Sequence, residues 1–166
     1  MPDEPPFRLI DAERARHDAE RLFDAVRTRI AAILPATADI RHIGATAVRG
    51  CLTKGDLDIV VRVPADDFDR AETTLASRFA RNAGSTRTNE FSAFEDDDSH
   101  PHLGIQLVAI DGAFDSFHLF AELLCASPRL VEDYNSLKRR HDGAPMAVYR
   151  AAKDAFIERL LSDLEA

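Results

Sequence analysis

His42-Ile43-Gly44-Ala45-Thr46-Ala47-Val48-Arg49-Gly50, followed three residues later by Lys54-Gly55-Asp56-Leu57-Asp58-Ile59-Val60-Val61, is the stretch on which this sequence turns. Ile59, Val60, Val61 and Val63 form a β-branched run, so Asp56 to Val63 is expected to be a strand buried on at least one face. Side chains alternate along a strand, which puts Asp56 and Asp58 on one side and Leu57 and Ile59 on the other, toward a core. Upstream, Asp39 to Ile43 fits a shorter strand that Gly44 breaks into a turn or short helix over Ala45 to Gly50. A glycine at such a turn lets backbone N–H groups approach a phosphate, and two carboxylates converging at a strand end suit a hard cation such as Mg²⁺. A D-x-D pair standing alone is most simply two solvated surface acids. Combined with a glycine turn, flanking strands and Lys54, it matches the needs of metal-assisted phosphoryl or nucleotidyl transfer.

Working outward, Asp11 to Leu34 carries Leu22, Phe23, Val26, Ile30, Ile33 and Leu34 at helical intervals before Pro35, which predicts a long amphipathic helix. Pro64 opens a second helix to about Ala80, with Asp66 and Asp67 at its start where the helix dipole favours acids. Ala83 to Phe94 suits another strand, the charge run Glu95 to Asp98 a solvated hairpin loop, and His102 to Ile110 a strand with Leu103, Ile105, Leu107 and Ala109 turned inward. From residue 112 onward the pattern is helical: Phe114 to Leu124, then a helix from Ser127-Pro128 with Tyr134 and Leu137, then a last one with Tyr149, Phe156 and Leu160. This order predicts an α+β domain with a mixed sheet of four to five strands flanked by helices and a helical C-terminal part over 112–166.

The chain has 166 residues, 45% of them apolar types and 30% charged, a globular balance with room for one domain, 1–166, and residues 1–7 as a flexible start. Lys plus Arg total 21 against 29 Asp plus Glu, a formal charge of −8, so extended nucleic acid is disfavoured as a partner. Cys51 and Cys125 lack metal or redox spacing and read as small core residues. No signal peptide or apolar stretch of spanning length is evident, which makes a cytoplasmic protein without a membrane partner the expectation.

The apolar residue, Gly-[Gly/Ser], short helix and Asp-x-Asp arrangement resembles the active-site signature of the polymerase β-type nucleotidyltransferase superfamily. More narrowly, His42-Ile43-Gly44-Ala45-Thr46-Ala47-Val48 with Lys54 and Asp58-Ile59 resembles the H-I-G-S-T-A-V-P-G-L-x-x-K-x-x-x-D segment of the GrpB family. Phe120, Pro128-Arg129-Leu130, Tyr134, Leu137-Lys138, Tyr149, Lys153 and Phe156 follow that family's C-terminal pattern, so the likeness runs from about residue 8 to the end.

The resemblance implies a minimal nucleotidyltransferase fold. In it Asp56 and Asp58 would be metal-binding and catalytic acids for Mg²⁺ or Mn²⁺, and Gly44, Ala45, Thr46 and Lys54 would hold nucleotide phosphates. NTP and an unknown small-molecule or protein acceptor are the implied substrates. Ala45 replaces the usual serine, with Thr46 as a substitute hydroxyl, Arg49 replaces a proline, and Gly55 stands where proline is common. The superfamily's third carboxylate is not evident on the later strand, where His102 and Gln106 share a face. His102 is a candidate base or ligand, or equally a strand-end cap. His42, Arg49, Gln106 and Lys153 are further site candidates, Lys153 for the cleft wall, whereas Tyr134 and Tyr149 read as structural. The alternative function is a catalytically inactive nucleotide-binding or regulatory module of the same fold.

Overall fold

A computed structural model describes residues 4–165 of the protein. Its five strands are β1 (Asp39–Ile43), β2 (Leu57–Val63), β3 (Ala80–Arg81), β4 (Phe91–Asp96) and β5 (Leu103–Ala109). The helices are α1 (Ala12–Ala31), α2 (Phe68–Ala76), α3 (Phe117–Ala126), α4 (Pro128–His141) and α5 (Met146–Glu165), with short 3₁₀ turns at Ala45–Ala47 and Ala65–Asp67. The strands form one mixed sheet in the order β1-β2-β5-β4-β3, so the predicted α+β architecture is the observed one. Only the β2–β5 pair is parallel, because the chain returns to that neighbour by way of α2 and the β3–β4 hairpin.

The two faces of the sheet bury different sets of residues. Leu57, Ile59, Val61 and Val63 of β2 and Leu103, Ile105, Leu107 and Ala109 of β5 point to one face, where Val26 and Ile30 of α1 and Phe68 and Leu75 of α2 close over them. Each fully buried aliphatic side chain there contributes about 2 kcal/mol of apolar transfer. On the other face Val60, Phe91, Ala93 and Val108 meet Phe114, Phe117 and Ala121. Beyond that cluster α3, α4 and α5 build a third core around Phe120, Leu124, Tyr134, Leu137, Tyr149 and Phe156. Asp58 belongs to this second face at the start of β2, and Asp56, expected as the first strand residue, lies just before it because ladder pairing begins at Leu57.

Several boundaries differ from the sequence expectation for identifiable reasons. The first helix begins at its Asp11 cap, whose carboxylate accepts from Arg14 N–H at 2.8 Å, and ends at Ala31, before the turn that Pro35 closes. Glu95 and Asp96, expected in a loop, extend β4 because they pair with Gly104 and Leu103 through the backbone, which is indifferent to side-chain charge. Residues 83–90 precede the strand instead of forming it. Cys51 is buried as expected, whereas Cys125 is exposed on α3. Of the N-terminal stretch expected to be loose, residues 1–3 lie outside the described residues. Phe7 is 1% exposed, stacks on Tyr149 at 3.7 Å, and exchanges backbone hydrogen bonds with Gly143 and Ala144.

Candidate active site

A cavity of about 320 Å³ opens between the β1–β2 end of the sheet and the C-terminal helices. Asp58 sits at its sheet-side wall, paired across the ladder with Ile43 on one neighbour and Gly104 on the other. A Cβ on Gly44 would stand 2.7 Å from Asp58 Oδ2, and a Cβ on Gly104 would stand 3.1 Å from Oδ1. The carboxylate thus lies in a slot made by two missing side chains. Gly44 also has φ +75°, a left-handed conformation that other residues rarely adopt. Among the described residues the Asp58 carboxylate has no hydrogen-bond or ion-pair partner, and burial pushes its pKa above the usual carboxylate value of 3.8.

Asp56 differs from Asp58 in having a cation at hand, Lys54 Nζ at 2.6 Å from Oδ2. The backbone between them is fixed from beneath. Thr46 Oγ1 donates to the Asp56 carbonyl at 3.0 Å, which uses its single proton, so the 2.9 Å contact with His42 Nε2 has the imidazole as donor. Burial keeps the His42 pKa below its ordinary value, consistent with a neutral ring tilted against Phe23. His42 and Thr46 therefore position the acidic strand from behind, and neither lines the cavity.

The opposite wall is helical. Asn135 of α4 accepts from Leu52 N–H at 2.8 Å and donates to Gly50 carbonyl at 3.0 Å. One turn on, Lys138 Nζ donates to the Leu52 carbonyl, lies 3.8 Å from Cys51 Sγ, and stands 4.2 Å from the centre of the Tyr134 ring. Lys138 is 2% exposed, and desolvation brings its pKa down to about 8. These two side chains clasp the segment that leads directly into Lys54 and Asp56. The floor is completed by Tyr134 and Tyr149, whose hydroxyls are 3.4 Å apart.

Of the candidates read from the sequence, Gly44, Ala45, Lys54, Asp56, Asp58, Gln106 and Lys153 line this cavity. Arg49 is exposed and outside its lining. His102 also stays outside: its Nδ1 is 3.0 Å from Asp97, and the ligand atoms of Glu95, Asp97 and His102 lie within 4.8 Å of one another where β4 turns into β5. The hydroxyl offered by Thr46 in place of a serine is committed to the backbone. Lys138, named from the sequence only as part of the family's C-terminal pattern and not as a site candidate, also lines the cavity. A signal was present: of the 21 Lys and Arg residues only Lys54, Lys138 and Lys153 are lysines. The donors at the sheet end are hard carboxylate oxygens in a slot open to the cavity, which fits Mg²⁺ or Mn²⁺ and not a soft metal.

A family model described as GrpB protein matches residues 10–163. The chain belongs to the GrpB family. A UPF0157 protein of Vibrio cholerae serotype O1 is 35% identical over 156 residues, covering 93% of this chain and 82% of that one. Among solved structures, the conserved protein GrpB of Enterococcus faecalis superposes with a TM-score of 0.60 at 14% identity, over 86% of this chain and 94% of that chain. The Cid1 poly(U) polymerase, solved with MgATP bound, superposes with a TM-score of 0.52 at 11% identity, over 78% of this chain but 42% of that larger one. These likenesses establish for this GrpB chain a nucleotidyltransferase-like fold. Among the described residues no helix is long and apolar enough to cross a membrane.

Proposed function

We propose that this GrpB protein is a divalent-metal-dependent nucleotidyltransferase, which moves a nucleoside monophosphate from an NTP to a small-molecule or protein acceptor. The observation that carries this reading is the recessed Asp58 carboxylate, unpartnered in a slot kept open by Gly44 and Gly104 and facing a cavity. A desolvated carboxylate with no hydrogen-bond or ion-pair partner is costly, and a bound cation offsets that cost. Asp56 and Asp58 would hold Mg²⁺ or Mn²⁺, which when bound neutralises phosphate charge and polarises the reacting phosphoryl group.

The chain's own residues set the rest of the reaction. Gly44 and Ala45 bring backbone to the cavity edge beside Asp58, and Lys54, which also lines the cavity, would offer its ammonium to a phosphate oxygen. An acceptor oxygen attacks the α-phosphorus, the bond from that phosphorus to the bridging oxygen breaks, pyrophosphate leaves, and the acceptor's proton passes to solvent or a cavity carboxylate. The like fold of a polymerase solved with MgATP supports the nucleotide as substrate. A thermal-shift panel of four NTPs with and without Mg²⁺ tests the reading, since a ligand of the native state raises the transition. Mg²⁺-dependent stabilisation that disappears in Asp58→Asn is expected; nucleotide binding unchanged by Mg²⁺ and by that substitution would overturn it.

Three observations favour the second reading, a nucleotide-binding module without transfer. Ala45 lacks the serine hydroxyl, Thr46 cannot replace it, and the strand beside β2 offers Gln106, not a carboxylate, to the cavity. That module would bind nucleotide and release no pyrophosphate.

A further inference from the structure

The chain's three lysines all line the cavity, and no arginine does. Everywhere else positive charge is carried by guanidinium groups. An ammonium is a compact point charge with three donors that can turn to the oxygens of a tetrahedral anion, whereas guanidinium imposes a planar fork. Lys138 spends one donor on the Leu52 carbonyl, has the Cys51 sulfur as a weak second acceptor and stands over the Tyr134 ring, which leaves it without any second oxygen or nitrogen acceptor on the cavity wall. It is 2% exposed. Lys54–Asp56 is the sole lysine ion pair among the described residues, so neither Lys138 nor Lys153 has a carboxylate partner there. A buried ammonium without a counter-ion is as costly as a buried carboxylate without one. The cavity therefore carries negative charge on its sheet wall, at Asp58, and positive charge on its helical wall, which act on each other across the gap without forming a direct ion pair.

We propose that Lys138 of α4 and Lys153 of α5 form a receptor for the oligophosphate end of a ligand, and that this receptor binds such an anion without a divalent cation. It rests on the function proposed above only in taking that ligand to be the nucleotide. Lys138 also holds Leu52, so an anion bound there sits on the clasp between α4 and the segment that carries Lys54. Binding and tightening of that segment are then coupled.

The test uses the full chain and inorganic tripolyphosphate in EDTA, by titration calorimetry at constant ionic strength. Saturable binding is expected, weakened at least tenfold in Lys153→Gln and in Lys138→Met, and undiminished in Asp58→Asn. Amide exchange over residues 50–54 is expected to slow when tripolyphosphate is added. If Lys138→Met does not fold, Lys153→Gln decides, because its side chain is only partly buried. No binding in EDTA, or binding unaffected by Lys153→Gln, overturns the receptor. Lysine-dependent tripolyphosphate binding in a protein whose NTP binding ignores Mg²⁺ and Asp58 would sustain the receptor and reject the transferase.

Discussion

Gly44 and Asp58 are close enough that a single methyl group on the glycine would stand 2.7 Å from the carboxylate's Oδ2. The left-handed φ of +75° at Gly44 makes the same substitution strained in the backbone. Gly44→Ala is therefore expected to destabilise the protein by about 1–3 kcal/mol and to displace the Asp58 carboxylate. Denaturant unfolding measures the first effect. Loss of Mg²⁺-dependent NTP stabilisation at temperatures where the variant is folded measures the second.

Asp58 is a group whose folded pKa is raised above its ordinary 3.8. Its contribution to stability is then fully present below about pH 3.8 and is lost as pH rises through the folded value, because the unfolded chain ionises first. Asp58→Asn removes that cost. The variant is expected to be more stable than the parent at pH 7 in EDTA, with the difference vanishing toward acid pH, and to gain nothing from Mg²⁺. Metal affinity of the parent should rise with pH across the same interval, as measured by titration calorimetry.

Lys138 has the opposite sign. Its folded pKa is lowered from 10.5 to about 8, so holding it as ammonium costs stability at every pH below about 8, and the cost is relieved between about 8 and 10.5. Cys51, Tyr134, Tyr149, Lys153 and Asp58 are the titratable groups that surround it. Relative to Lys138→Met, the parent is expected to gain on the order of 2 kcal/mol across that window, read from denaturant midpoints at pH 7.5 and 10.

Asn135 is 4% exposed and spans Leu52 N–H and Gly50 carbonyl. Asn135→Ala leaves both backbone groups without that partner, at an expected cost of about 1–3 kcal/mol. The loss should be local as well as global. Faster amide exchange at Leu52 and weaker NTP binding are expected with β2 itself still protected, whereas uniform exchange over the whole sheet would show that the clasp does no more than hold the helices on.

Much of the architecture is written in local patterns. Asp39–Ile43 is a strand over the residues expected, β5 lies within the expected 102–110 stretch, and Asp11 caps α1 as its side-chain chemistry dictates. The alternation rule alone puts Asp56 and Asp58 opposite Leu57 and Ile59, because strand geometry has a period of two whatever surrounds it. Where the sequence misleads, tertiary pairing has overruled side-chain type: Glu95 and Asp96 are acidic yet complete β4, since their backbones meet Gly104 and Leu103.

By itself, then, the sequence determined β1, β2, β5, the long first helix, the helical C-terminal part and the side of β2 on which Asp58 would stand, all consequences of short-range periodicity, whereas β3 and the limits of α2 and β4 followed from pairing. Only the tertiary structure decided which groups meet across the gap. His102 turns away to Asp97, Thr46 is spent on a carbonyl, and Lys138, 80 residues beyond Asp58 in the chain, arrives on the helical wall. The last of these meetings depends on how α4 packs over the segment at Gly50 to Leu52, a long-range contact that no local spacing encodes.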